Sequence, residues 1–459
     1  NGTQPLFKVG HRELYVIKDL SELDKTDAIA RLEEAFAHRN ERCTIICANE
    51  GRLRNVVQAS EQLSEFRSVL DDVLNNRPVE LTHPWLVIIN LNHQSVASPA
   101  STGRSIFESL VAEWTDKDKW AVCEGCPARK RCHIRRNAEL LSPACDLPLG
   151  VNLQNLVRLA EYLGFNFTIR QMMVGIAQIM TRGLDCQSVQ AGVPPGEDRE
   201  YLAWESAFSL SVQVPHNAFL RALALLDPGF ASNHLVDEAV SSNGFEELFP
   251  RHVTTELVAN DTTTTADESP DTVPLIDHQE WRRRRRKAFL SGVAGTELDE
   301  PARSAKILNL PYIDLFLTLV REDGNDANRF GALEALHSGL QAIQGVLDDQ
   351  PSDRSIHLVD QSFADYSNGL GGTSLGRIGR QPTGARLLAR SVDVSCTHEV
   401  LTNWPADINT LPRRIIVTCS GDEGEKALPP LRLSYFDFEY LVSAAKGQDA
   451  HEFYSGQRL

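Results

Sequence analysis

The sequence is short of cysteine, of long apolar runs and of positive charge, and each shortage narrows what the chain can be. Nine cysteines in 459 residues are too few for a secreted disulfide scaffold. No apolar stretch approaches the roughly 18 residues a membrane-spanning helix needs, which argues against a membrane protein. The opening NGTQPLFKVGHREL has no apolar signal core, so the expected location is cytoplasmic. The first residue is not Met, and the natural N-terminus is expected upstream of Asn1. Lys+Arg 46 against Asp+Glu 62 gives a net charge of −16, which excludes a uniformly basic nucleic-acid coat but allows a local basic site. Hydrophobic residues at 42% and charged residues at 24% are ordinary globular usage, and the length suggests about three domains or two large ones.

Apolar runs separated by amphipathic stretches fill residues 1–100. LYVI (Leu14 to Ile17), TIICA (Thr44 to Ala48) and WLVIIN (Trp85 to Asn90, behind Pro84) have the form of buried strands. Ile29, Leu32 and Phe36, then Leu63, Phe66, Leu70, Val73 and Leu74, have helical spacing. Such alternation predicts an α/β fold whose parallel sheet is covered on both faces. Residues 101–150 form a Cys-rich insertion, and 151–255 a mostly helical, lid-like region. An acidic, Thr-rich linker spans 256–280. A C-terminal α+β region occupies 281–459, with strand-like IHLV (Ile356 to Val359) and RIIVTC (Arg414 to Cys419).

Asp19 directly follows the first apolar strand, and Glu22 comes three residues later. A buried strand that delivers a carboxylate to a sheet edge is the layout of a Walker B segment. There Asp19 would hold Mg²⁺ and Glu22 would orient the attacking water. A solvated loop carboxylate is the plain alternative. The next strand leads to Asn49, the place of an amide that senses the γ-phosphate of ATP. Arg170 opens a helical stripe in FTIRQMM and is the candidate phosphate-reaching arginine of the lid, or else a surface arginine at a helix start. No G-x-x-x-x-G-K-[ST] occurs in the sequence. The stretch NGLGGTSLGRIGRQPTG lacks its Lys and reads as a flexible loop, with a phosphate-contacting loop as the alternative. The core is therefore a partial P-loop NTPase (AAA+-like), with the phosphate loop expected before Asn1.

The segment CEGCPARKRCHIRRNAELLSPAC places Cys123, Cys126 and Cys132 at C-x₂-C-x₅-C spacing. Thiolates so spaced can meet one metal ion from a tight turn. Cys145 is the expected fourth ligand and His133 the alternative. Zn²⁺ and a [4Fe–4S] cluster both suit the set, and free thiols are the plain alternative. Arg129, Lys130, Arg131, Arg135 and Arg136 make the knuckle locally basic. A second basic run, Arg282, Arg283, Arg284, Arg285, Arg286 and Lys287, follows Trp281. It is a candidate for gripping a phosphate backbone, for reaching a neighbouring subunit, or for a merely solvated face.

The ordered set IKDLSELD, ANEGRLR, INLN, CEGCPARKRCHIRRNAELL, FTIRQMM and ALLDPGF resembles the DptF-type ATPase subunit of DNA-phosphorothioation-dependent restriction, over roughly residues 10–320. The resemblance implies an ATP- and Mg²⁺-dependent subunit of a bacterial anti-phage defence complex. It would act on DNA with partner subunits, as a homo-oligomer and away from membranes. The absent Walker A motif departs from that pattern. A non-catalytic scaffold that binds DNA or a nuclease is the alternative.

Overall fold

The computed structural model describes residues 7–9, 12–74, 86–91, 94–99, 103–192, 201–210, 214–241, 278–292, 301–320, 326–344, 355–359, 387–397, 411–412, 414–419 and 431–446. The expected linker from Ala259 to Pro274 and the Gly-rich stretch around Gly371 lie outside these residues. The fold is α/β in class and mostly helical. It divides into two compact units, one built on residues 1–93 and the other on residues 94–397 and 409–459.

The first unit is a small sheet with helices. Strands β1 (Phe7–Val9), β2 (Arg12–Ile17) and β3 (Cys43–Ile46) lie in the order β1-β2-β3. β1 is antiparallel to β2, while β2 and β3 run parallel with Ile17 opposite Ile46. Helix α1 (Lys25–Ala37) makes the crossover between them, capped by Asp24, whose side chain accepts from the Asp27 N–H. Helices α2 (Glu50–Gln58) and α3 (Ser64–Leu74) follow. Ile17, Leu20, Ala28, Leu32, Val56, Val57, Leu63 and Leu70 form the core of this unit.

Two expectations need correction here. The cover is not even on the two faces among the described residues: along β3, Thr44 and Ile46 are half-buried, whereas Cys43 and Ile45 are exposed. And Leu86–Asn90 forms no strand. Its side chains do alternate, with Ile88 packed on the core and Val87 and Ile89 exposed. The period-2 pattern reflects an extended segment resting on one side, without ladder hydrogen bonds.

The second unit is built around helix α6 (Leu149–Tyr162), which follows α4 (Ile106–Trp114) and α5 (His133–Leu141). Leu149, Leu153, Leu156, Val157, Leu159 and Ala160 are fully buried, so α6 is covered over most of its surface, with Val151 in its first turn exposed. Its buried polar side chains are bonded rather than solvated. The Asn152 amide donates to the Leu290 carbonyl at 2.9 Å, and Gln154 to the Ala97 carbonyl at 2.8 Å. Glu161 accepts from the Ser95 hydroxyl at 2.5 Å and the Val96 N–H at 2.7 Å. Then follow α7 (Ile169–Thr181), α8 (Cys186–Ala191), α9 (Ala203–Ser206), α10 (Ala218–Leu225), which packs on α6, and α11 (His234–Ser241). Next come α12 (His278–Ser291), α13 (Pro301–Ile307), α14 (Ile313–Val320) and α15 (Asp326–Gln344).

An antiparallel sheet follows in the order β4 (Ser355–Val359), β5 (Leu387–Thr397), β6 (Arg414–Cys419) and β7 (Leu431–Leu433). The strand expectations at Ile356 and Arg414 fall in β4 and β6. Helix α16 (Tyr435–Ala445) ends the described chain. One core runs from Val96 to Val442, so residues of the expected insertion, lid and C-terminal regions pack together.

Candidate functional site

Asp19 and Asn49 stand at the same edge of the first unit's sheet. The β2–β3 pairing continues past the strands through two backbone bonds, Cys47 N–H to the Ile17 carbonyl at 2.9 Å and Leu20 N–H to the Cys47 carbonyl at 3.0 Å. Asp19 sits between those bonds, and Asn49 follows Cys47 by two residues. Each side chain caps the turn it opens. Asp19 Oδ1 accepts from the Ser21 N–H at 2.7 Å, and Asn49 Oδ1 from the Gly51 N–H at 3.0 Å. Both residues are exposed, as is Glu22 at the end of the short 3₁₀ turn Leu20–Glu22. Capping uses one oxygen of each side chain. The chemistry asked of them uses the other atom: Oδ2 of Asp19 toward a hydrated cation, Nδ2 of Asn49 as a donor. Arg170, exposed in the first turn of α7, belongs to the second unit.

The cysteines form a second candidate. Lys117–Gly125 winds as 3₁₀ turns, and the Cys126 N–H bonds the Cys123 carbonyl at 3.2 Å, which closes the C-x₂-C turn. Ala128, Ile134 and Val189 make a small core under it, with Trp120, Cys126, Cys132 and Leu184 packed around. Burial pushes the Cys123 thiol above its ordinary pKa. The thiols of Cys132, Cys186 and Cys126 push the same way, and Arg135 opposes them. Cys145 instead packs against the large core of the unit. His133 is buried, with Nε2 3.2 Å from the Thr181 carbonyl and its ring 4.9 Å from Tyr201. Among the described residues, no three His, Cys, Asp or Glu side chains already stand in a metal-holding arrangement. The thiols approach one another without closing on a point. Cys186 has no C-x-x-C partner, and α5, α6 and α7 separate it from the knuckle in sequence, so spacing could not reveal it.

Beside the knuckle lies a cleft of about 740 Å³. Its basic lining is Lys117, Arg129, Lys130, Arg135 and Arg136, and its carboxylates are Glu124, Glu139 and Asp146. Glu139 is engaged by Arg135 at 2.5 Å and by Arg136 at 4.0 Å.

The basic run lies on α12, and most of it faces inward. Arg284 pairs with Glu280 at 3.1 Å, and Arg285 holds Asp237 at 2.7 and 3.1 Å. Arg286 holds both Asp227 and Glu205 at 2.5 Å. Lys287 is 9% exposed, its ammonium 5.5 Å from the Trp204 ring, and Arg282 lies over the Phe230 ring at 4.0 Å. Arg282 and Arg283 also line a smaller cleft with Arg182. The run is chiefly internal wiring of the helical unit.

No protein-family model matches the sequence, and neither the curated proteins nor the solved structures yield a match.

Proposed function

We propose that the first unit is the Walker B and sensor half of an AAA+-like nucleotide site. On this view the chain serves as an ATP-hydrolysing subunit of a DNA-targeting bacterial defence complex. The observation that carries the proposal is the shared sheet edge of Asp19 and Asn49 on two adjacent parallel strands. A carboxylate and an amide brought together there suit a hydrated Mg²⁺ and a terminal phosphate. Glu22, three residues past Asp19, would orient the attacking water. Such a site also needs a phosphate loop, which this sequence does not contain.

DNA contact is assigned to the basic wall of the cleft beside the cysteines, not to the run on α12. Lys117, Arg129 and Lys130 are exposed there, whereas Arg285 and Arg286 are engaged by buried or half-buried carboxylates. The same cleft supports the second reading, a non-catalytic scaffold that holds DNA.

The test is DNA-stimulated ATP hydrolysis by the natural full-length protein and its Asp19→Asn variant. Asn caps as well as Asp, so the fold keeps its turn while the metal loses its charge partner. Hydrolysis is expected to fall roughly 100-fold, about 3 kcal/mol of lost charge stabilisation. Unchanged hydrolysis rejects the assignment of Asp19. No hydrolysis by the wild type, with DNA binding retained, favours the scaffold.

A further inference from the structure

Spacing nominates Cys145 or His133 as the fourth ligand of the cysteine knuckle, and the geometry favours neither. His133 is turned into the helical unit, against the Thr181 carbonyl and the Tyr201 ring. Cys145 packs on the large core, apart from the small core that holds Cys126 and Cys132.

Helix α8 brings another thiol. Val189 and Gln190 follow Cys186 by three and four positions, the spacing that puts side chains on one helical face. Val189 is 2% exposed in the small core with Ala128 and Ile134. The Gln190 amide Nε2 lies 3.6 Å from Cys126 Sγ, and the Gln190 carbonyl accepts from Arg131 Nη2 at 3.0 Å. Leu184, just before α8, packs on the same small core. The face of α8 that carries Cys186 is therefore the face that meets the knuckle.

We propose that Cys186 is the fourth ligand of a site formed with Cys123, Cys126 and Cys132 that takes a thiophilic metal centre, either a zinc ion or an iron–sulfur cluster. Both centres are held by four thiolates, and both would tie α8 to the knuckle across two distant stretches of sequence. Cys186 is exposed and at the start of a short helix, so its side chain has room to swing inward as the metal binds. Binding releases the thiol protons and leaves the centre with net negative charge. Arg129, Lys130, Arg131 and Arg135 flank the cysteines in sequence and offset that charge, a reason for a basic cluster in an acidic chain. The role of the metal is then structural, because it fixes the wall of the 740 Å³ cleft.

The test measures zinc, iron and acid-labile sulfide in the full chain, purified anaerobically, with Co²⁺ as a spectroscopic probe of the metal-free protein. The wild type is expected to carry about one zinc per chain with no colour, or iron with matching sulfide and a brown colour. Cys145→Ala is expected to keep its metal, and Cys186→Ser to lose most of it. Because Cys186→Ser can lose metal by misfolding, Cys186→His is the second variant. With Co²⁺ it should bind and show the shifted bands of a site with three sulfurs and one nitrogen. A Cys186→His spectrum identical to that of the wild type overturns the proposal. So does full metal content in Cys186→Ser, or a wild type that holds neither metal and gives no thiolate bands with Co²⁺.

Discussion

Arg286 grips Asp227 with one edge of its guanidinium: Nε donates to Oδ1 at 2.9 Å and Nη2 to Oδ2 at 2.5 Å. The Asp227 side chain is 3% exposed and that of Arg286 is 15% exposed, so the pair is largely out of water. Asp227 also accepts from the Gly229 N–H at 2.8 Å, which ties the pair to the turn after α10. The third arginine nitrogen reaches Glu205 on α9. One residue of α12 therefore joins two other elements.

Removing one member of such a set leaves buried charge without a partner. Arg286→Ala is expected to cost about 3–5 kcal/mol in denaturant unfolding. Arg286→Lys should recover little of it, because an ammonium cannot make the two parallel bonds. A stable Arg286→Ala variant that had lost only DNA affinity would place the residue in a nucleic-acid contact after all.

Glu205 predicts a pH effect of definite sign. Burial pushes its carboxyl above the ordinary range, and Arg286 offsets this only in part. Its Oε1 is buried with no hydrogen-bond partner. The folded state thus holds the proton more tightly than the unfolded state. The stability this contributes is complete below the unfolded value and is lost as pH rises through the folded value. Glu205→Gln removes the titration. Its melting temperature relative to the wild type should therefore rise from acid toward neutral pH, and a flat difference across that interval would contradict the assignment.

The sequence reveals what depends on neighbours along the chain. Leu14 to Ile17 and Thr44 to Ala48 show β2 and β3 by their apolar runs, and Ile29, Leu32 and Phe36 show α1 by period. What it conceals depends on distant partners. Arg285 and Arg286 look like a solvent-facing cationic run because Asp237, Asp227 and Glu205 lie far upstream. Cys145 is near Cys132 in sequence yet packs on the large core, while α8, distant in sequence, brings Val189 onto the small core under the knuckle. WLVIIN has the composition of a strand but no hydrogen-bonding neighbour strand among the described residues.

Helices α15 and α16 touch at a glycine. A Cβ on Gly339 would stand 2.1 Å from the Leu441 carbonyl oxygen and 2.6 Å from its carbon. Backbone cannot rotate away as a side chain can, so Gly339→Ala must push the two helices apart. A loss of about 1–3 kcal/mol is expected from calorimetric or denaturant unfolding. Gly331, on the same helix, has open space around its Cβ position. Gly331→Ala should be neutral or slightly stabilising, because alanine favours the helix by about 1 kcal/mol. Equal effects at the two positions would mean that α15 and α16 do not pack as described.

The cleft beside the cysteines makes a prediction that separates electrostatic contact from folding. Lys117 and Lys130 are exposed on its wall and carry no buried partner load, unlike Arg285 and Arg286. Replacing both with Gln should leave the melting temperature nearly unchanged, since surface substitutions of this kind usually cost within about 0.5 kcal/mol. If each contacts a phosphate, the double variant binds duplex DNA more weakly across all sequences. The slope of log affinity against log salt should also fall by about 0.9 for each lost contact. The measurement is a salt titration of binding by fluorescence anisotropy, wild type against variant. An unchanged slope with unchanged affinity would remove the cleft as the DNA contact.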